Sequence, residues 1–246
     1  MQLRILMFLL VAVTIISLLS STRSFAEVIS CTPSVQCVGT NENDNMKGTD
    51  QADDMNGLDG DDKMDGRGGD EIQMIGGNGD DLIHGGDGDD VEIDGGPGDD
   101  IFYGGDGNDA DFKAGAGDDI FYGQSGNDGA EAAEGNDKLY GGNGVDSFTG
   151  GLQNDYLNGG PGNDKLVGDE EEFFGGDGGA DVIVGGTGND QLFHNSYIES
   201  HGGEPLASDG SQDSLDCGPG KDEAWINENT DHDVVKNCET VHTEND

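Results

Sequence analysis

A short repeat rich in glycine and aspartate constrains this chain more than any other feature. Residues 76–103 read GGNGDDLIH, GGDGDDVEID and GGPGDDIFY, and the pattern recurs about every nine residues from residue 39 to residue 193. Each copy joins Gly-Gly-x-Gly-x-Asp to a short segment that carries one large apolar residue. Self-similarity at a short fixed period is typical of a solenoid, in which each repeat packs against its neighbours. The chain is therefore predicted to stack coils.

The central copies alternate between ten and nine residues. Ten-residue copies begin at Gly66, Gly85 and Gly104, and nine-residue copies begin at Gly76, Gly95 and Ala114. Two copies therefore repeat every 19 residues, which brings two sets into matching places: Ile83, Phe102 and Phe121, and His84, Tyr103 and Tyr122. We predict that two copies make one turn, with nine-residue strands in one sheet and longer strands in the other. In the longer copies, alternation predicts a shared face for Ile72 with Met74, Val91 with Ile93, and Ala110 with Phe112.

The repeated GGxGxD pattern also resembles the calcium-binding nonapeptide GGxGxDxUx of RTX and haemolysin-type proteins. That resemblance implies an all-β fold, a right-handed parallel β-roll (a β-solenoid), and it implies multiple bound Ca²⁺ ions. The residue types suit this chemistry, because glycine permits the positive φ angles of a sharp turn. Calcium takes six to eight oxygen ligands, which carboxylates and main-chain carbonyls supply together.

In the resembling family, the aspartate at the sixth position is a side-chain ligand and loop carbonyls complete the shell. Carried onto this sequence, the candidate metal ligands are Asp81, Asp90, Asp100, Asp109, Asp119, Asp128, Asp137, Asp146, Asp155, Asp164 and Asp190. Glu71 departs from the pattern by one methylene, Val145 precedes Asp146, Gln153 replaces the third glycine before Asp155, and Asp181 follows an inserted residue. The alternative for any single aspartate is a carboxylate that only stabilises its turn.

The net charge of −43, from 53 acidic and ten basic residues, limits both folding and partners. Without a counter-ion such a chain repels itself, and a disordered acidic protein is the alternative to a roll. Disorder does not explain apolar residues in register, so we expect calcium to neutralise the charge and to couple folding to binding. Nucleic acids and anionic membranes need basic patches, which argues against both as partners.

The first 26 residues are predicted to be a signal peptide. Arg4 precedes an apolar run over residues 5–19, and Ser24-Phe25-Ala26 resembles a cleavage site. An uncleaved anchor is the alternative. After cleavage we expect no membrane partner, and a location that is secreted, extracellular or at the cell surface.

The remaining chain is predicted to divide into four segments. These are an N-terminal cap (27–38), the repeat roll (39–193), an excursion loop (194–207), and degenerate repeats with a C-terminal cap (208–246). Four cysteines in an exported chain favour disulfides, with three possible pairings. We expect the local pairs Cys31–Cys37 and Cys217–Cys238, with free thiols as the alternative.

No catalytic signature accompanies the repeats. The sequence contains neither HExxH nor GxSxG, and the repeats and caps occupy nearly all of the predicted mature chain. We therefore expect a non-enzymatic calcium-binding protein that folds on binding several ions. The alternative is an adhesion or matrix protein whose stiffened roll binds polysaccharide, mineral or ice, as exposed Tyr103, Tyr122 and Tyr140 would favour. A toxin or enzyme is the third reading.

Overall fold

The computed structural model describes residues 28–33, 35–169, 179–195, 212–226 and 232–243. These residues form short strands joined by turns, in chain order: β1 (Val28–Ser30), β2 (Cys37–Val38), β3 (Asn45–Lys47), β4 (Asp54–Asp59), β5 (Lys63–Gly68), β6 (Gln73–Asn78), β7 (Leu82–Asp87), β8 (Val91–Pro97), β9 (Ile101–Asp106), β10 (Ala110–Ala116), β11 (Ile120–Ser125), β12 (Gly129–Glu134), β13 (Lys138–Asn143), β14 (Ser147–Leu152), β15 (Tyr156–Pro161), β16 (Lys165–Asp169), β17 (Val182–Thr187), β18 (Gln191–Asn195), β19 (Ser214–Asp216), β20 (Glu223–Trp225), β21 (Val234–Lys236) and β22 (Thr240–His242). Within the described ranges there is no helix, and so none able to cross a membrane.

The strands form a parallel β-solenoid in which two repeats make one coil. Among the described residues, all odd-numbered strands lie in one 11-stranded sheet, which we call the odd sheet. All even-numbered strands lie in a second 11-stranded sheet, the even sheet, and both sheets follow chain order. Neighbours are parallel: Phe102 in β9 pairs with Ile83 in β7 and with Phe121 in β11. The longer strands β8 and β10 both lie in the even sheet. The predicted fold and the predicted division of nine- and ten-residue copies are therefore confirmed.

The core is a narrow stack with one large apolar side chain per strand. Its fully buried members include Met46, Met55, Met64, Met74, Ile83, Ile93, Phe102, Phe112, Phe148, Leu139, Leu157 and Leu166. In the middle of the stack the phenyl rings pack edge to face, with centroids 6.0 Å apart for Phe102 and Phe112 and 4.8 Å apart for Phe112 and Phe121. Glycine fills the next inward position of most repeats, so the two sheets approach closely there.

One prediction about the longer copies is wrong. Met74, Ile93 and Phe112 are buried as expected, but Ile72 is 57% exposed and Val91 is 37% exposed. Glu92 and Asp111 adopt φ of 53° and 57°, and a left-handed residue interrupts the alternation of side chains. In β8 and β10 the tenth residue therefore makes a bulge, whereas Ile72 lies just before β6, which begins at Gln73. The bulges of β8 and β10 coincide, because Val91 pairs with Ala110 and Ile93 pairs with Phe112.

Both ends of the solenoid continue the two sheets and carry a disulfide. Cys31 bonds to Cys37 beside β1 and β2, and Cys217 bonds to Cys238 among β19 to β22, which confirms the local pairing. His194 and Asn195 belong to β18. The rest of the predicted excursion loop lies outside the described residues, as does the predicted signal peptide.

Candidate calcium-binding ladders

The sixth-position carboxylates form two columns along the solenoid axis. We call the residues that precede odd-numbered strands the odd ladder: Asp44, Asp62, Asp81, Asp100, Asp119, Asp137, Asp155, Asp181 and Asp213. The even ladder precedes even-numbered strands: Asp53, Glu71, Asp90, Asp109, Asp128, Asp146, Asp164, Asp190 and Asp222. All of these side chains are buried. The structure thus places the eleven predicted ligands in two columns, five in the odd ladder and six in the even ladder.

Hydrogen bonds between coils fix Oδ1 of each of the eleven predicted ligands. The main-chain N–H of Asp81 donates to Oδ1 of Asp100 at 2.7 Å, and the N–H of Asp100 donates to Oδ1 of Asp119 at 2.6 Å. The even ladder repeats this, with the N–H of Asp90 donating to Oδ1 of Asp109 at 3.0 Å. Each coil therefore orients its side chain against the turn of the coil before it.

The second oxygen of each predicted ligand is buried and has no hydrogen-bond partner among the described residues. This is true of Oδ2 in Asp81, Asp90, Asp100, Asp109, Asp119, Asp128, Asp137, Asp146, Asp155, Asp164 and Asp190. An ionised carboxylate oxygen removed from water without a partner is strongly destabilising. A column of such oxygens fits hard cations, and Ca²⁺ takes carboxylate and carbonyl oxygens together. The residues present therefore fit the metal that the repeat pattern implies.

Burial perturbs these carboxyl groups in the metal-free protein. It raises the pKa of Asp81 to about 7 and that of Asp100 to about 8, despite the N–H bond from the preceding coil that favours the charged form. The pKa of Asp109, Asp119 and Asp128 rises to about 7 for the same reason. Without a cation, the fold therefore favours protonated carboxyl groups.

Glycine geometry brings these oxygens together. A Cβ on Gly76, the first residue of its repeat, would lie 2.2 Å from Oδ2 of Asp81 and 2.8 Å from the carbonyl oxygen of Gly95 in the next coil. The first position thus borders both a carboxylate and a main-chain carbonyl. The fourth position is left-handed in most of the regular repeats, as at Gly79 (φ 131°). Gln153 replaces that glycine before Asp155 and still adopts φ of 76°, so the turn is preserved.

The first two rungs differ from the rest. Oδ2 of Asp44 accepts hydrogen bonds from the N–H of Thr40 at 2.6 Å and from its hydroxyl at 2.9 Å. Oδ2 of Asp53 accepts the same pair from Thr49, at 2.6 and 3.1 Å. In these degenerate repeats the threonine replaces the second glycine and supplies donors. These two carboxylates match the turn-stabilising alternative, since their Oδ2 oxygens already accept hydrogen bonds within the turn.

Two residues outside the predicted set share its geometry. Asp62 and Asp222 are buried and each has an Oδ2 without a hydrogen-bond partner in the described structure. The N–H of Asp62 also donates to Asp81, which joins it to the odd ladder. The sequence held the signal for Asp62, because Gly57 and Gly60 are retained in its repeat and Leu58 takes the second position with φ of 88°.

Glu71 occupies a rung of the even ladder with an altered environment. Both of its carboxylate oxygens are buried without a hydrogen-bond partner among the described residues, and its N–H donates to Oδ1 of Asp90 at 2.9 Å. Burial and the neighbouring Asp90 carboxylate raise the pKa of Glu71 far above its usual value. With its extra methylene, Glu71 therefore stays in the even ladder, but in the described part of the chain neither of its carboxylate oxygens accepts the hydrogen bond that Oδ1 of the predicted aspartate ligands accepts.

A histidine takes the first-glycine position beside Asp213. The buried side chain of His194 has Nδ1 3.8 Å from Oδ2 of Asp213. Ligand atoms of His194, Asp213 and Asp233 all lie within 4.8 Å of one another. Sequence reasoning did not predict this group, because an insertion separates His194 from Asp213.

Comparison with known proteins agrees with this geometry. The family model described as "RTX calcium-binding nonapeptide repeat (4 copies)" matches residues 38–70, 75–110, 112–130, 131–166 and 175–194, more than half of the chain. A search of curated proteins found no match. One similar solved structure is described as the "X-ray crystal structure of a hyperactive, Ca2+-dependent, beta-helical antifreeze protein from an Antarctic bacterium". It is 23% identical, with 87% of this chain and 82% of that chain covered and a TM-score of 0.38. On the family match, the chain belongs to the RTX calcium-binding nonapeptide repeat family.

Proposed function

We propose that this protein is a secreted, non-enzymatic calcium-binding protein that binds several Ca²⁺ ions along its two ladders and folds on binding them. The observation that carries the proposal is the column of buried carboxylate oxygens without hydrogen-bond partners among the described residues. Each ion would bring positive charge to a place where the chain has concentrated negative charge. The residues that would hold the ions are the eleven predicted aspartates, together with Asp62 and Asp222.

Calcium suits these positions better than magnesium. The ladders offer carboxylate and carbonyl oxygens from turns of two successive coils, which is a large and adaptable oxygen shell. Magnesium demands near-ideal octahedral geometry and dehydrates reluctantly. We therefore expect magnesium to fold the chain poorly at concentrations at which calcium folds it completely.

Far-UV circular dichroism during calcium addition, followed by chelation, tests the proposal. The metal-free chain at neutral pH should be largely disordered, calcium should produce β-structure, and chelator should reverse the change. Calorimetry on the same samples counts the ions. A spectrum that neither calcium nor chelator changes would contradict the proposal.

Two adjacent aspartates provide a matched pair of variants. Asp100 is fully buried, whereas Asp99 is exposed and its Oδ1 accepts the N–H of Asp118 at 2.9 Å. Asp100→Asn should remove one bound ion and raise the calcium midpoint. Asp99→Asn keeps the side-chain acceptor and should leave the midpoint unchanged. Equal effects from both variants would show that total charge, rather than the ladder, governs binding.

A further inference from the structure

The central strands of the odd sheet carry an aromatic outer surface without acidic side chains on a strongly acidic protein. We call it the aromatic face, and it consists of the outward side chains of β7, β9, β11, β13 and β15: Leu82, His84, Ile101, Tyr103, Ile120, Tyr122, Lys138, Tyr140, Tyr156 and Asn158. These ten outward positions include no carboxylate. The outer surface of the even sheet differs, because Glu92, Asp94 and Asp111 are exposed there. A chain with net charge −43 has therefore kept acidic side chains off these ten positions, and the row meets a carboxylate only at Asp65 of β5, which pairs with His84.

The aromatic rings of this face stack on one another along the solenoid axis. Ring centroids are 4.6 Å apart for His84 and Tyr103, 5.1 Å for Tyr103 and Tyr122, and 5.2 Å for Tyr122 and Tyr140, with interplanar angles of 9° to 13°. Parallel stacking covers the faces of the inner rings. The row therefore presents ring edges and phenolic hydroxyls to solvent. It forms a straight wall in which each coil contributes one ring.

A groove of about 300 Å³ runs beside this wall. His84 and Tyr103 line one side, and Asp87 and Asp106 line the other. Between them Gly86 pairs with Gly105, so the floor has no side chains, and Gln124 follows in the same row. The groove thus combines an aromatic wall, a main-chain floor and a row of exposed hydrogen-bond acceptors.

These features restrict the occupant. The surrounding negative charge repels nucleic acids and acidic polysaccharides. Five strands about 4.8 Å apart make a face about 20 Å long and, at three residues per strand, about 10 Å wide. A stable protein partner, including a second copy, needs roughly 800 Å² on each side, so the face is too small for one. A chain of sugar rings has the right width, and its hydroxyls can donate to the carboxylates opposite the wall.

We infer that the groove between the Tyr103 wall and the pair Asp87 and Asp106 binds sugar rings of an uncharged polysaccharide. The carboxylates accept hydroxyl hydrogen bonds, and the ring edges pack against the apolar side of the pyranose. The polymer continues along the aromatic face over Tyr122 and Tyr140. This binding is separate from the ladders, and it requires only that the solenoid be folded.

Calorimetric titration of the calcium-saturated full chain tests the inference, with cellohexaose and chitohexaose as neutral probes and oligogalacturonate as an acidic one. We expect at least one neutral hexasaccharide to bind and the acidic one not to bind. Absence of neutral binding at millimolar sugar overturns the inference, and so does equal binding of oligogalacturonate. Inhibition of ice growth without sugar binding would assign the face to ice and also overturn it.

Variants on both walls locate the site. Tyr103→Ser, and separately the double variant Asp87→Ala with Asp106→Ala, should each weaken neutral binding tenfold or more. Asp94→Ala, an exposed change on the even sheet, should leave it unchanged. Circular dichroism in calcium shows whether each variant folds. If Tyr103→Ser does not fold, the double variant still tests the inference, because Asp87 and Asp106 are both exposed. Unchanged sugar binding by both the Tyr103→Ser variant and the aspartate double variant would place the site elsewhere and overturn the inference.

Discussion

The metal-free chain should fold in mild acid and unfold at neutral pH. Ten ladder aspartates have a folded-state pKa of about 6 to 8, because burial penalises their charged form: Asp62, Asp81, Asp100, Asp109, Asp119, Asp128, Asp137, Asp146, Asp155 and Asp164. In the unfolded chain the same groups titrate near 3.8. A raised folded-state pKa gives stability that is present at low pH and is lost as pH rises through the folded-state value.

The magnitude follows from proton linkage. Near pH 5 the folded chain holds close to ten more protons than the unfolded chain, so its free energy of unfolding falls by about 14 kcal/mol per pH unit. Typical domains have only about 5–15 kcal/mol in total. The metal-free fold should therefore be lost within about one pH unit, between roughly pH 5 and pH 7. Calcium removes this dependence by replacing the protons as the counter-charge.

Circular dichroism in chelator from pH 7.5 to pH 5, with sedimentation to detect aggregation, measures the transition. Asp119→Asn imitates one protonated carboxyl group and should stabilise the metal-free fold at pH 7.5 by about 4 kcal/mol while removing a calcium ligand. Its exposed neighbour provides the control, because Asp118→Asn leaves every buried carboxyl group in place and should move the pH midpoint much less than Asp119→Asn does. A metal-free chain with the same spectrum at both pH values, folded or disordered, would refute the reasoning.

Three further predictions concern the calcium-bound fold and are measured by denaturant unfolding at saturating calcium. Gly79→Ala should cost at least about 2 kcal/mol, because its φ is 131° and the new Cβ would lie 2.3 Å from the carbonyl oxygen of Gly60; Gly68→Ala, whose nearest contact would be 3.7 Å away, should cost less than about 1 kcal/mol. Phe148→Ala should cost about 3–5 kcal/mol against less than about 0.5 for the exposed Val145→Ala, and similar values would mean that the stack is not the core. Replacing both members of the Cys217–Cys238 pair by alanine should cost about 3 kcal/mol, against about 2 for Cys31–Cys37, because 21 residues separate the first pair and six the second; the reverse order would refute the loop-entropy argument.

The fold and most of the ladder could be predicted because both follow from register. Once two copies make one coil, the register places Ile83 beside Phe102 and Asp81 beside Asp100 in the next coil. The exposure of Val91 could not be predicted, since the ten-residue length shows that one residue is extra but does not show that Glu92 becomes left-handed and changes the side-chain direction. Thr40 likewise satisfies Asp44 through contacts that a pattern of residue types does not reveal.

The aromatic face was predicted in part. Its matching positions are visible in the repeat, and the structure pairs Tyr103 with both His84 and Tyr122. What the sequence could not give is the orientation of the rings. Aromatic rings at matching positions of successive coils can lie flat on the sheet or stand on edge. Only the packing between successive coils selects the stacked arrangement. Because the rings stand on edge, we expect a polysaccharide to contact the groove beside the rings rather than the ring faces.

The hydrogen bonds of the ladders all run in one direction, because each turn donates to a carboxylate that comes later in the chain. The last regular turns donate to the C-terminal segment, with the N–H of Asp213 bonding to Asp233 at 3.1 Å and that of Asp222 bonding to Glu239 at 2.8 Å. Each turn therefore has its carboxylate acceptor only when the coil that follows it is in place. The array is complete only with its C-terminal segment, which supplies the acceptors for the last turns.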